Sequence, residues 1–152
     1  MNRKASTLVC VFLWCVLSAS AGSAQSSLQA DRIRAVLAAQ VESWDRGDLE
    51  GYMLGYWHSP ELTFYSGGTV TKGWAETLQR YRKRHQGEGR AMGKLTFSDL
   101  DIQQLSPETA WVGGRWRLEM SDGSHPGGLF TLVFRKFPEG WRIVHDHTSS
   151  EP

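Results

Sequence analysis

The sequence is short of the residues that support several kinds of chemistry and architecture. Its 152 residues include two cysteines and five prolines, and the formal net charge is only +1. Both cysteines, Cys10 and Cys15, lie in a stretch that reads as a leader, so the chain beyond it offers no thiol for a disulfide, a nucleophile or a metal. A near-neutral balance gives no electrostatic case for a nucleic acid or an anionic membrane as partner. The longest apolar run, Leu8 to Leu17, is too short to span a bilayer, and no second one follows. A nucleophile elbow, a dinucleotide-binding glycine fingerprint, a Walker loop and a calcium loop are all missing, and with them the reactions they mark. No repeat, low-complexity tract or linker divides the chain.

What is there begins with the leader. Arg3 and Lys4 precede the apolar run, and Ser18 to Ala24 is a series of small residues ending in a Gly22-x-Ala24 cleavage pattern. Residues 1–24 therefore read as a cleavable signal peptide, which predicts a periplasmic or secreted protein starting near Gln25. Trp14 before Cys15 does not fit a lipid-anchor pattern. Loss of Arg3 and Lys4 takes the charge from +1 to −1. Residues 25–152 are enough for a single domain with one core.

Along that domain, Ile33, Val36, Leu37, Val41 and Trp44 recur at helical spacing and predict a first helix over 27–44. Asp48 can cap a second helix bearing Leu49, Tyr52, Met53, Tyr56 and Trp57, stopped by Ser59-Pro60. Leu62 to Tyr65 reads as a brief strand closed by Gly67-Gly68. Trp74, Leu78, Tyr81 and His85 place a third helix over 73–86. The period then becomes alternating, predicting strands over 94–105, 109–120, 127–137 and 141–149, with a bulge near Ser98-Asp99 where the apolar phase slips. Helices first and long strands afterwards give an α+β fold in which the helices gather on one face of a curved antiparallel sheet.

The terminal strand carries three titratable residues in a row, His145, Asp146 and His147. Strict alternation puts both histidines on the face of Trp141 and Ile143, and Asp146 on the face of Val144 and Thr148. Whichever face is interior, a polar group is buried there and needs partners or a wet cavity. Imidazole or a desolvated carboxylate suits proton transfer, whereas a satisfied structural corner is the plainer alternative. The two histidines leave a zinc site incomplete, so no metal is assigned. In the strand before, Trp116 shares the inner face with Ala110, Val112, Gly114 and Leu118. Trp111, Arg115 and Arg117 then fall outside, where they suit a subunit interface. Arg80, Arg82, Lys83 and Arg84 read as a solvated charge run, with a basic face for an anionic partner as the alternative. Tyr81 lies on the apolar stripe and needs a hydroxyl partner.

The order of these elements resembles the nuclear transport factor 2-like superfamily, and several motifs resemble its SnoaL-like branch, near the association domain of calcium/calmodulin-dependent protein kinase II. The motifs are Trp44 to Leu49 (WDRGDL), Ser59 to Phe64 (SPELTF), the Gly73 that opens helix three, Ala110-Trp111-Val112, and Gly140 to Ser149 (GWRIVHDHTS). The resemblance implies a cone-shaped curved sheet with helices packed on its concave face, a cavity between them, and dimerisation through the outer sheet face. The superfamily's steroid isomerases use a tyrosine in the first helix, which this chain lacks there, so their mechanism is not carried over.

Two functions follow as expectations. One is an exported module that binds a small organic ligand or associates with itself, without catalysis; the other is a cofactor-free isomerase- or dehydratase-like enzyme. For the enzyme, His145 or Asp146 serves as base and Tyr81 as donor. Tyr56, Trp57, Trp74, Trp116 and His147 are the expected ligand contacts, with a homodimer as the assembled form.

Overall fold

Apolar side chains three and four residues apart make one stripe of a helix, and a stripe must be covered. In the computed structural model, which describes residues 10–87 and 91–151 and side chains from residue 24, that stripe is Ile33, Leu37 and Trp44, all buried. It belongs to α1 (Cys10–Asp45), which begins well before the predicted start and passes through the predicted cleavage point without a break. Residues 1–9 of the leader lie outside the described residues. Residues 24–28 are exposed, and burial begins at Gln29, which accepts a hydrogen bond from the Trp141 indole at 3.0 Å.

Asp48 caps α2 (Leu49–Met53) as predicted, its carboxylate accepting from the Gly51 N–H at 2.8 Å. The helix is shorter than its apolar stripe. After Leu54 the chain crosses to the sheet, where the Trp57 N–H donates to the Ile143 carbonyl and the Ile143 N–H to that of Gly55, both at 2.9 Å. Next comes a hairpin of β1 (Thr63–Ser66) and β2 (Thr69–Lys72). Its two-residue loop holds Gly67 and Gly68 at φ 57° and 72°, the left-handed pair that right-twisted hairpins favour and only glycine adopts freely. The β2 strand escaped prediction because it is short and largely exposed. Helix α3 (Trp74–Tyr81) continues into a π-helical turn, Arg82–Gln86. The predicted loop 87–93 falls partly on residues 88–90, outside the described residues.

Four long strands follow: β3 (Lys94–Ser106), β4 (Thr109–Glu119), β5 (Gly127–Phe137) and β6 (Gly140–Thr148). The expected bulge is present: register slips between Ser98 and Asp101, with Asp99 at φ 53°. The six strands lie in the order β2-β1-β6-β5-β4-β3. One neighbouring pair, β1 with β6, is parallel, so the sheet is mixed rather than wholly antiparallel. The sheet is curved and unclosed, and the helices cover its concave face over a core that includes Phe134, Leu132, Val112, Trp141 and Ile143. No helix among the described residues is long and apolar enough to cross a membrane.

Candidate functional site

Strand β6 starts with Trp141 and Ile143 facing the helices, at 2% and 1% exposure. Val144 is then left out of register, because Phe134 pairs with Ile143 while Val133 pairs with His145. One extra residue reverses the alternation. Asp146 consequently joins Ile143 on the inner face at 3% exposure, and His145 and His147 turn outward. This corrects the facing expected from strict alternation. The histidines stand beside Tyr65 on the outer face, with His145 Nδ1 2.6 Å from the Thr63 hydroxyl. Burial followed by the neighbouring His147 pushes the His145 pKa down.

The inner face closes one wall of a cavity of about 80 Å³ between the sheet and the helices. Water needs roughly 10–15 Å³ of such space, so there is room for several waters. Most of the wall is apolar, including Leu95, Phe97, Leu118, Phe130, Leu132 and Ile143. Its titratable and charged groups fall at two places, Asp146 with its tyrosines, and Arg80 of α3 with Arg84 and His85 of the π-helical turn.

Asp146 is the only carboxylate among the buried described residues. The Tyr56 hydroxyl donates to its Oδ2 at 2.7 Å, and the Thr148 hydroxyl to its Oδ1 at 2.6 Å. The backbone pairing of Gly55 and Trp57 with Ile143 sets Tyr56 three residues upstream of that carboxylate on β6, within reach of its ring. Tyr81 lies 3.3 Å from the Tyr56 hydroxyl and 3.5 Å from that of Tyr52, so a chain of three phenols ends on one acid. Burial pushes the Asp146 pKa up to about 6, against the opposing pull of the hydrogen bonds from Thr148 and Tyr56 and of nearby His147. Burial, then the charge of Asp146, pushes Tyr52 up to about 12; Tyr56 and Tyr81 are also raised, chiefly by burial. The tyrosines therefore remain protonated donors at neutral pH. The two contacts of Tyr81 are long beside the 2.7 Å bond of Tyr56, which leaves its proton less committed than that of Tyr56.

Of the expected site residues, Asp146, Tyr81, Tyr56 and Trp116 line the cavity together. Trp116 is held there by its indole N–H, which donates to the Ser149 carbonyl at 2.9 Å, and its ring lies against Gly128, where a side chain would collide with it. His145 and His147 are outside. Trp57 stacks on Phe137 with ring centroids 5.6 Å apart, away from the cavity. Trp74 donates to the Met53 carbonyl at 2.9 Å and packs on His58, a structural joint between α2 and α3. The sequence places Arg80 and Arg84 on a solvated face; Arg84 is exposed and Arg80 half buried, yet both also line the cavity, as do Thr148, Trp44 and Phe64, for which the sequence gives no role there. The i, i+4 spacing of Arg80 and Arg84 beside Tyr81 and His85 was the available signal.

A family model described as a SnoaL-like domain matches residues 33–151. An NTF-2 like protein of unknown function from Shewanella oneidensis is 40% identical, with 79% of this chain and 98% of that one covered and a TM-score of 0.73. At 19% identity, a candidate calcium/calmodulin-dependent protein kinase type II association domain from Thiobacillus denitrificans has a TM-score of 0.66, with 78% and 94% covered. A candidate scytalone dehydratase from Novosphingobium aromaticivorans is 10% identical, with a TM-score of 0.70 and 86% and 89% covered. Among curated proteins none matches the chain.

Proposed function

Because the chain belongs to the SnoaL-like branch of the nuclear transport factor 2-like superfamily, whose members share a fold and not one reaction, we propose a function from its own side chains: cofactor-free proton transfer on a small organic molecule held in the cavity. The observation that carries this is Asp146, a buried carboxylate with its pKa raised to about 6, at the end of a phenol chain in an apolar cavity. A base of that strength is mostly ionised at neutral pH and still holds a proton well enough to return it. Asp146 takes a proton from a carbon beside a carbonyl, and the Tyr81 hydroxyl donates a hydrogen bond to the oxygen that gains charge. Return of the proton at another carbon is an isomerisation; loss of a β-hydroxyl with a proton, as water, is a dehydration. The likeness to the candidate scytalone dehydratase is one of fold and does not choose between them.

A second reading is favoured by one observation: both Asp146 oxygens already accept hydroxyl protons, from Tyr56 and Thr148. Asp146 is then a satisfied structural corner, and the cavity binds without reacting. Deuterium exchange separates the two. In heavy water the protein should speed exchange beside the carbonyl of small cyclic ketones, and Asp146→Asn should not; binding without exchange supports the second reading.

The leader pattern of residues 1–24 supports export, and the exposure of residues 24–28 fits a start near Gln25. Amino-terminal sequencing of protein recovered from cells tests it. Pairing of two copies through the outer sheet face is supported by Leu129, 53% exposed, and Tyr65, 38% exposed, on that face.

A further inference from the structure

Helix α3 and its π-helical turn carry three arginines at alternate positions, and they are treated differently. Arg82, on the outside, is ion-paired with Glu50. Arg80 and Arg84, which line the cavity, pair with no carboxylate among the described residues. Arg80 is half buried. Its guanidinium lies over the Phe64 ring, 5.3 Å from the centroid, and donates to two neutral oxygens, Thr71 Oγ1 and the Ser66 carbonyl, both at 2.9 Å.

Those bonds use two of five N–H donors and leave a positive charge with no carboxylate partner among the described residues, in a partly desolvated place. Arg84, one turn on and exposed, adds a like charge at the mouth of the same cavity, a mild repulsion that a bound anion would relieve. His85 lies beside them against Trp44 and Tyr81, its pKa pushed down to about 4 by burial and then by Arg84. At neutral pH it is an uncharged imidazole that adds a hydrogen bond without adding charge. The cavity is thus bipolar: arginines at one polar place, the ionisable acid at the other, and apolar side chains including Phe97, Trp116 and Phe130 on the sheet wall.

We propose that the ligand is a flat, one-ring molecule bearing a carboxylate that Arg80 and Arg84 receive while its ring occupies the apolar wall. The planar fork of an arginine matches a carboxylate oxygen for oxygen, and a desolvated setting strengthens the pairing. A space of about 80 Å³ admits nothing larger than a single ring. This rests on the cavity being the ligand site proposed above and adds the charge of what enters it.

The test uses three probes of one shape and different charge, benzoate, benzyl alcohol and benzylamine, titrated at neutral pH and low salt with the fluorescence of Trp44 and Trp116 as readout. Benzoate should bind tightest, about tenfold above benzyl alcohol, with benzylamine weakest. Replacing Arg80 also removes its bonds to β1 and β2, so the informative variant is Arg84→Met at an exposed position. It should remove most of the advantage of benzoate over benzyl alcohol. Equal or tighter binding of the alcohol or the amine, or benzoate binding unaltered in Arg84→Met, overturns the inference while leaving a ligand site in place. Failure of all three to bind at millimolar concentration also overturns it, and deuterium exchange on ketones then decides the proposed function separately.

Discussion

Tyr56 and Asp146 are 90 residues apart in the chain, yet the hydroxyl of one donates to the carboxylate of the other across 2.7 Å. Two local features bring them together. The segment after α2 pairs with Ile143, and the extra residue Val144 then turns Asp146 toward the helices. A cavity that would otherwise be apolar on this wall gains an acid, and the acid gains the end of a phenol chain.

Phenylalanine at positions 56 and 81 should therefore have different consequences. Tyr56→Phe removes the short bond to Asp146, which raises the carboxyl pKa further and costs about 1–2 kcal/mol of stability. Tyr81→Phe removes only long contacts, so stability should stay within about 0.5 kcal/mol while proton exchange falls about tenfold to a hundredfold. Denaturant melts and exchange rates of both variants check the split.

Stability should depend on pH through Asp146 in a direction opposite to that of a salt-bridged acid. Its folded pKa of about 6 lies above the ordinary 3.8. Between those values the folded state holds more protons than the unfolded one, so the stabilisation is complete below about pH 4 and is lost as pH rises through 6. The integrated loss is about 3 kcal/mol, being roughly two pKa units at 1.4 kcal/mol each. Asp146→Asn should flatten this part of the curve in melts taken at successive pH values. A wild-type curve that rises between pH 4 and 6 in step with Asp146 would contradict it.

Two tryptophans expected in the ligand site now carry opposite predictions. Trp74→Phe loses a donation to the Met53 carbonyl and should cost about 1 kcal/mol without altering ligand affinity. Trp116→Phe releases a cavity-lining ring from the Ser149 carbonyl and should weaken binding. Ligand titrations and thermal melts of the pair separate the roles.

Pairing through the outer sheet face is exposed to a single charge. Leu129→Glu places a carboxylate on that face and should shift the protein from dimer to monomer in sedimentation at micromolar concentration. A wild-type monomer at the highest soluble concentration removes the dimer altogether.

The helices and the four long strands were legible because their apolar residues repeat with the right periods, and the bulge near Asp99 because the phase visibly slips there. The second bulge, at Val144, gives no such sign: Ile143, Val144 and His145 suit either face, so alternation alone placed Asp146 with the wrong neighbours. Parallel pairing of β1 with β6 is a long-range contact that no local pattern encodes. Tyr81 could be read from its helical stripe, but a run of charged residues hides that half-buried Arg80 and exposed Arg84 both border the cavity. Trp57 and Trp74 show the converse. Large aromatic side chains near a cavity in sequence were spent on joining elements to one another.

The carboxyl group of Asp146 can be followed directly by carbon-13 NMR, as the signal present in the wild-type protein and missing from Asp146→Asn. A titration midpoint of about 6 is expected in the folded protein, moving lower when the cavity is opened by Trp116→Ala. A midpoint near the ordinary 3.8 would mean that the carboxylate is solvated or fully satisfied, and proton transfer at Asp146 would be contradicted.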